Sequence, residues 1–124
     1  MIRGLPGSGK SYLAKQIMQN VKSEKGWAHL ENDMYFTNEN GKYVWYFAEL
    51  KNVYAWCLEE TEKALLLEHD GIVSNCFIKR KHLIQYINLA KKYRVFRILY
   101  ICCGNFQSDH DVPKTTIEEM KKNW

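Results

Sequence analysis

Apolar positions along the chain change period several times, and each change marks an element. Leu13, Ala14, Ile17, Met18 and Val21 recur at helical spacing and predict a helix from Lys10 to about Lys22. Before it, Met1 to Arg3 has room only for a stub of strand, and Gly4 to Gly9 is a glycine-rich turn. Trp27 to Glu31 alternates as a short strand, and Thr37 to Lys42 carries the Asn40-Gly41 turn signal. From Tyr43 to about Glu68 the spacing predicts a long helix with Phe47, Leu50, Tyr54, Cys57, Leu58, Thr61 and Leu65 on one face, closed by Asp70-Gly71. Ile72 to Cys76 reads as a buried strand, Lys79 to Tyr93 as a helix with Leu83, Tyr86, Ile87 and Ala90 inward, and Arg94 to Cys102 as a strand covered on both faces. Gly104 to Val112 is a polar loop, after which Pro113 opens a last helix that ends at Trp124. Strand and helix alternate four times, which predicts an α/β fold: a mostly parallel sheet flanked by helices, with a short first strand.

Length and composition narrow this to one globular domain over residues 1–124. The chain has 124 residues, 46% of them hydrophobic and 26% charged, which is folded rather than disordered composition. No apolar run reaches the ~18–20 residues of a membrane span, and Gly4 to Lys10 interrupts any signal-peptide core. The expectation is a soluble, cytoplasmic protein without a membrane partner. No pattern fixes an oligomeric state. Cys57, Cys76, Cys102 and Cys103 form no C-x-x-C pair and are expected to be reduced core thiols.

Charge is segregated. Between Gly71 and Ser108 there is no Asp or Glu, but Lys79, Arg80, Lys81, Lys91, Lys92, Arg94 and Arg97 give that segment +7 within a net charge of +4. Such a distribution predicts a surface for an anionic partner, against the plainer reading that Lys91, Lys92 and Arg94 complement a helix dipole.

The most specific motif is Gly4-Leu5-Pro6-Gly7-Ser8-Gly9-Lys10-Ser11, a full match to G-x-x-x-x-G-K-[ST]. Phosphate oxygens need several converging backbone N–H groups, and glycines let the backbone turn and approach that closely. The helix that begins near Lys10 adds its dipole. Lys10 is placed for the β- and γ-phosphates of ATP, and the Ser11 hydroxyl for Mg²⁺. A second motif, Glu31-Asn32-Asp33-Met34-Tyr35-Phe36, follows the predicted second strand. Ligands bind at the carboxyl ends of such strands, so Asp33 is placed to accept a proton from an attacking hydroxyl. Asn75, polar at the end of a buried strand, needs a partner that an acceptor hydroxyl or metal-bound water would supply.

With these motifs in place, the chain resembles the polynucleotide kinase-like P-loop kinases, and within them the short phage-type ATP-binding proteins. The resembling stretches are RGLPGSGKS, HLENDMYF, GKYVW, AWC followed by AL, IVSNCF, YINLAKKY, CGNFQSDHDVP and IEEMKKNW, in order along almost the whole chain. The resemblance implies Lys10 and Ser11 in the phosphate and metal roles, Asp33 as general base, and 104–112 as a lid over the nucleotide with His110 in its H-x-V-P signature. It implies a nucleic-acid 5′-hydroxyl end as acceptor, and the host cytoplasm as location for a phage-encoded protein. Three positions depart from the family: Phe36 and Asn75 replace an arginine and an aspartate, and Asn105 to Asp111 lacks the lid arginine.

The remaining candidates read as structural. His29 is expected to be a packed strand residue, His69 a helix-end residue, Trp45 and Trp56 core, and Phe77 core rather than a base-stacking platform. The sequence therefore predicts Mg-ATP-dependent phosphoryl transfer by Lys10, Ser11 and Asp33, with Asn75, Lys79, Arg80 and Lys81 toward a nucleic-acid end. Two alternatives stand beside it: a small-molecule or nucleotide kinase, and a nucleotide-binding module of low activity that acts through a partner.

Overall fold

Four short strands alternate with four helices of 10 to 17 residues in the computed structural model, which describes residues 1–44, 46–107 and 112–124. In order these are β1 (Ile2–Gly4), α1 (Lys10–Asn20), β2 (Trp27–Leu30), α2 (Leu50–Leu66), β3 (Asp70–Asn75), α3 (Arg80–Lys92), β4 (Tyr100–Cys102) and α4 (Lys114–Asn123). Short 3₁₀ turns occupy Asn32–Phe36 and Phe47–Glu49. The strands form one all-parallel sheet in the order β2-β3-β1-β4. The α/β architecture is the expected one. No described helix is long and apolar enough to cross a membrane.

The chain groups into two compact units, Met1–Val21 with Ser74–Trp124, and Lys22–Val73. In the first, Ile2, Ala14, Ser74, Phe77, Leu83, Tyr86, Leu89 and Ala90 are buried. The inward stripe of α3 is thus Leu83, Tyr86, Leu89 and Ala90, close to the expected one, with Ile87 half-buried. Helix α4 follows Pro113, whose fixed φ suits a helix start, and buries no residue.

In the second unit α2 begins at Leu50, not near Tyr43. The reason is a small hairpin. Asn38 Oδ1 accepts from the N–H of Asn40 and Lys42, Gly41 takes φ 74°, Thr37 bridges Tyr43, and the Val44 N–H donates to the Phe36 carbonyl at 2.9 Å. Residues 43 and 44 are therefore spent on a returning strand. The buried stripe of α2 is Val53, Cys57, Thr61 and Ala64, rotated from the expected face, and Tyr54 is exposed. These small side chains let α2 lie close, while Trp56 packs edge-on against Tyr35 at 5.7 Å. Trp45 lies outside the described residues.

The end of α2 also differs. Asp70 and Gly71 belong to β3, and the helix is closed by Glu68, at φ 60°, in a Schellman motif: the Glu68 N–H donates to the Leu65 carbonyl and the His69 N–H to the Ala64 carbonyl, both at 3.0 Å. Lys25 pairs with Glu68 at 2.7 Å.

The expected strand from Arg94 to Cys102 contracts to Tyr100–Cys102, and it is not covered on both faces. Among the described residues β4 is an edge strand that ladders with β1 alone, pairing Ile2 with Tyr100, Arg3 with Ile101 and Gly4 with Cys102. A three-residue neighbour supports only a three-residue strand. Val95, Phe96, Ile98, Leu99 and Ile101 are consequently exposed. Of the four free thiols only Cys57 is in the core; Cys76 and Cys102 are half-buried and Cys103 is exposed.

Candidate active site

The chain from Gly4 to Ser11 joins the carboxyl end of β1 to the first turn of α1. Its bend depends on two left-handed residues, Gly7 at φ 72° and Gly9 at φ 91°, a region that costs a residue with a Cβ roughly 1–2 kcal/mol. The turn is closed by the Ser8 N–H donating to the Leu5 carbonyl at 3.1 Å. Gly9 is the N-cap of α1 and offers no side-chain cap, and the first turn has no acidic residue. The opening N–H groups of α1 are thus not spent on a capping side chain, which is what an anion requires. Lys10 folds back over the loop, donating from Nζ to the Leu5 carbonyl at 3.0 Å. Ser11 is half-buried at the second helical position, and the Ser8 hydroxyl is buried with no hydrogen-bond partner among the described residues.

The segment after β4 packs onto this loop. The Phe106 N–H donates to the Gly7 carbonyl at 2.8 Å, and a Cβ on Gly9 would lie 3.3 Å from the Phe106 ring. Gly104 leaves no room for a side chain, since a Cβ there would sit 2.7 Å from the Ser8 carbonyl oxygen. At Gly4 a Cβ would sit 2.8 Å from the Cys102 carbonyl. Burial raises the pKa of the Cys102 thiol, and the nearby Lys10 charge opposes the shift. The start of the expected lid is therefore part of the phosphate-loop wall; His110 lies outside the described residues.

Other positions of this unit sort clearly. Asn75 is buried as the last residue of β3, in register with Arg3 on β1. Arg3 donates from Nε to the Phe77 carbonyl at 3.1 Å and lies over the Trp124 ring at 4.6 Å, so it is engaged structurally. Phe77 is core, as expected, packed edge-on against Tyr86 at 5.4 Å, and takes φ 47°. Lys79 is the N-cap of α3, with Arg80 and Lys81 exposed in its first turn. His82 beside them has its pKa lowered, by burial first and then by Lys81 and Lys79.

In the other unit Asp33 is half-buried in the turn Asn32–Phe36, directly after β2. The Tyr43 hydroxyl donates to Asp33 Oδ1 at 3.4 Å, and the Thr37 hydroxyl donates to the Asp33 backbone carbonyl at 3.2 Å. Burial, together with the Asp33 charge and hydrogen bond, pushes the Tyr43 phenol up to about 12, so it remains a donor. Phe36 is buried between Tyr35 and Tyr43, with ring centroids at 5.5 and 6.0 Å, which makes it a core residue. His29 is likewise inward-packed and meets Glu31 at 3.1 Å.

The sequence reading missed Gly104 and Phe106 as loop-wall residues and Tyr43 as the donor to Asp33. A glycine and an aromatic two residues apart after a strand was the available signal for the first pair. Nothing local marks Tyr43, because the hairpin that returns it to Asp33 is a tertiary event.

A parallel sheet whose first strand runs through this loop into α1 defines a phosphate-loop α/β protein. A family model described as AAA domain (AAA_33) matches residues 1–114, and the chain belongs to this P-loop kinase-like family. Among solved structures, a chain of the Pnkp1/Rnl/Hen1 RNA repair complex is similar in fold, with a TM-score of 0.66 at 16% identity. The match covers 98% of this chain but 34% of that one, so this chain spans about a third of its neighbour's length. No curated protein matches.

Proposed function

We propose that this protein is a Mg-ATP-dependent kinase that phosphorylates the 5′-hydroxyl end of a nucleic acid. The observation that carries the reading is the complete loop Gly4–Ser11, with left-handed Gly7 and Gly9, an uncapped α1 N-terminus and Lys10 folded over it. These residues fit a bound triphosphate: the α1 N–H groups and Lys10 would hold its phosphates, and the Ser11 hydroxyl would hold Mg²⁺. ATP supplies the transferable phosphoryl group when bound. Asp33 accepts the proton of the acceptor hydroxyl, and Tyr43 orients its carboxylate. The phosphate loop follows β1 and Asn75 ends the neighbouring β3, the end at which parallel sheets bind ligands.

A nucleic-acid acceptor is favoured by the exposed Lys79, Arg80 and Lys81 directly after β3, and by a structural neighbour that belongs to an RNA repair complex. A second reading, a nucleotide-binding module of low activity that acts through a partner, is favoured by Phe36 being core, by Arg3 being engaged, and by the absence of arginine from 104–112. Labelled γ-phosphate transfer, screened against 5′-hydroxyl DNA, 5′-hydroxyl RNA and nucleosides, separates these. Transfer to an oligonucleotide end supports the proposal, transfer only to nucleosides makes it a small-molecule kinase, and ATP binding without transfer supports the module.

A further inference from the structure

The acid-free basic segment is not one surface. Lys79, Arg80 and Lys81 start α3, whereas Lys91, Arg94 and Arg97 lie at and beyond its other end, about 20 Å away along 13 residues of helix. At that far end Ala90, Lys91, Arg94, Val95, Phe96 and Arg97 line an open pocket of about 610 Å³, remote in sequence from the phosphate loop. Helix-dipole compensation accounts for Lys91 and for Lys92, which lies over the Tyr93 ring at 5.2 Å. It does not account for three other observations.

Phe96 is 91% exposed, the most exposed large apolar side chain among the described residues. Arg97 stands beyond the helix, and neither it, Lys91 nor Arg94 is paired with a described carboxylate. Arg94 itself sits at φ 54° in the left-handed position of a Schellman motif, its N–H donating to the Lys91 carbonyl at 3.1 Å and the Val95 N–H to the Ala90 carbonyl at 3.0 Å. Glycine is the residue that position prefers, so an arginine there gives up stability while adding a cation to the pocket rim.

We propose that this pocket is a second nucleic-acid site, a single-strand platform in which a base stacks on Phe96 while Lys91, Arg94 and Arg97 contact the flanking phosphates. An exposed aromatic face among unpaired cations is the pairing that single strands use: any base offers a π-face, and the backbone offers one charge per nucleotide. An acidic polypeptide would satisfy the cations but leave the ring without a matching partner.

The test uses a fluorescein-labelled dT20 strand and fluorescence anisotropy at about 50 mM salt, in a background with Lys79, Arg80 and Lys81 replaced by alanine so that the α3 start does not contribute. Residual binding is expected, with a log–log salt slope of about −2 for three contacts. Phe96→Ala should weaken it on the order of tenfold. Arg94→Gly should weaken it and flatten the slope by about 0.7 while raising the thermal midpoint, so that lost binding cannot be ascribed to unfolding. Residual binding indifferent to Phe96→Ala overturns the proposal. So does poly-glutamate competing as well as unlabelled dT20. Vesicles of phosphatidylcholine and phosphatidylserine at 7:3 that capture the protein through Phe96, with dT20 unbound, overturn it in favour of a membrane surface.

Discussion

Replacing Lys10 by alanine isolates the electrostatic part of the phosphate loop from its backbone part. Lys10 is half-buried, and its ammonium meets one described partner, the Leu5 carbonyl at 3.0 Å. An ammonium about 4 Å from a phosphate charge, at an effective dielectric near 20, contributes roughly 4 kcal/mol. At ~1.4 kcal/mol per decade that corresponds to about a thousandfold in nucleotide affinity or turnover. The fold loses less, since one hydrogen bond from a charged donor contributes about 1.5–3 kcal/mol and water takes over part of it. Gly7 and Gly9 hold the bend without the lysine. Titration calorimetry with Mg-ATP, beside a urea melt, reads the two quantities separately. Wild-type affinity in Lys10→Ala would refute the cradle assignment, and a collapse of stability equal to the loss of affinity would make Lys10 a structural residue.

Three further outcomes follow from the geometry. Asp33→Asn should keep ATP affinity and lower kcat by about 10²–10⁴, the range for a lost general base; equal loss of binding and turnover would make Asp33 structural. Gly104→Ala places a Cβ 2.7 Å from the Ser8 carbonyl, so ATP affinity should fall about tenfold with the circular dichroism spectrum unchanged, and an unaltered Kd would show that this wall does not shape the loop. His82 has its pKa lowered from 6.5 in the folded protein, so the unfolded chain protonates first; stability is fully present above about pH 6.5 and is lost as pH falls through the folded value, and urea midpoints should show this loss shrinking in His82→Gln.

How far the sequence was legible follows from how local each determinant is. The phosphate loop is eight consecutive residues whose types answer to one ligand, so motif and structure coincide from Gly4 to Ser11. The start of α2 was misplaced because helical spacing continues upstream of Leu50, while Thr37, Tyr43 and Val44 form a hairpin that periodicity does not register. Both Schellman ends were hidden for another reason. Glu68 and Arg94 occupy left-handed positions where glycine is the usual signal, and the adjacent Asp70-Gly71 drew the α2 boundary to itself. The run from Val95 to Ile101 reads as a strand buried on both faces, yet strand length is set by the neighbour, and β1 has three residues to pair. Asp33 stands in the turn after β2, where its sequence position puts it, but its contact with Tyr43, ten positions later, arises only from the fold.

The proposed phosphoryl transfer calls for a cation opposite the transferring group. Such an arginine contributes about 10³–10⁵ to the rate in well-studied phosphoryl-transfer proteins. The chain has four arginines: Arg3, Arg80, Arg94 and Arg97. Arg3 is held by the Phe77 carbonyl and the Trp124 ring, and Arg94 and Arg97 lie at and beyond the end of α3. Arg80 is different. It is exposed in the first turn of α3, five residues after Asn75, with no acidic residue in that turn and no side-chain cap, so it stands on the positive end of a helix dipole beside Lys79 and Lys81. Three cations at a helix N-terminus repel the dipole unless an anion is bound there. Arg80→Ala should therefore lower kcat for an oligonucleotide by about 10³ or more while the Kd for Mg-ATP moves little, and Arg80→Lys should recover only part, because an ammonium lacks the planar two-pronged donor set. Wild-type kcat in Arg80→Ala would remove Arg80 from the chemistry and leave the cation to a partner chain.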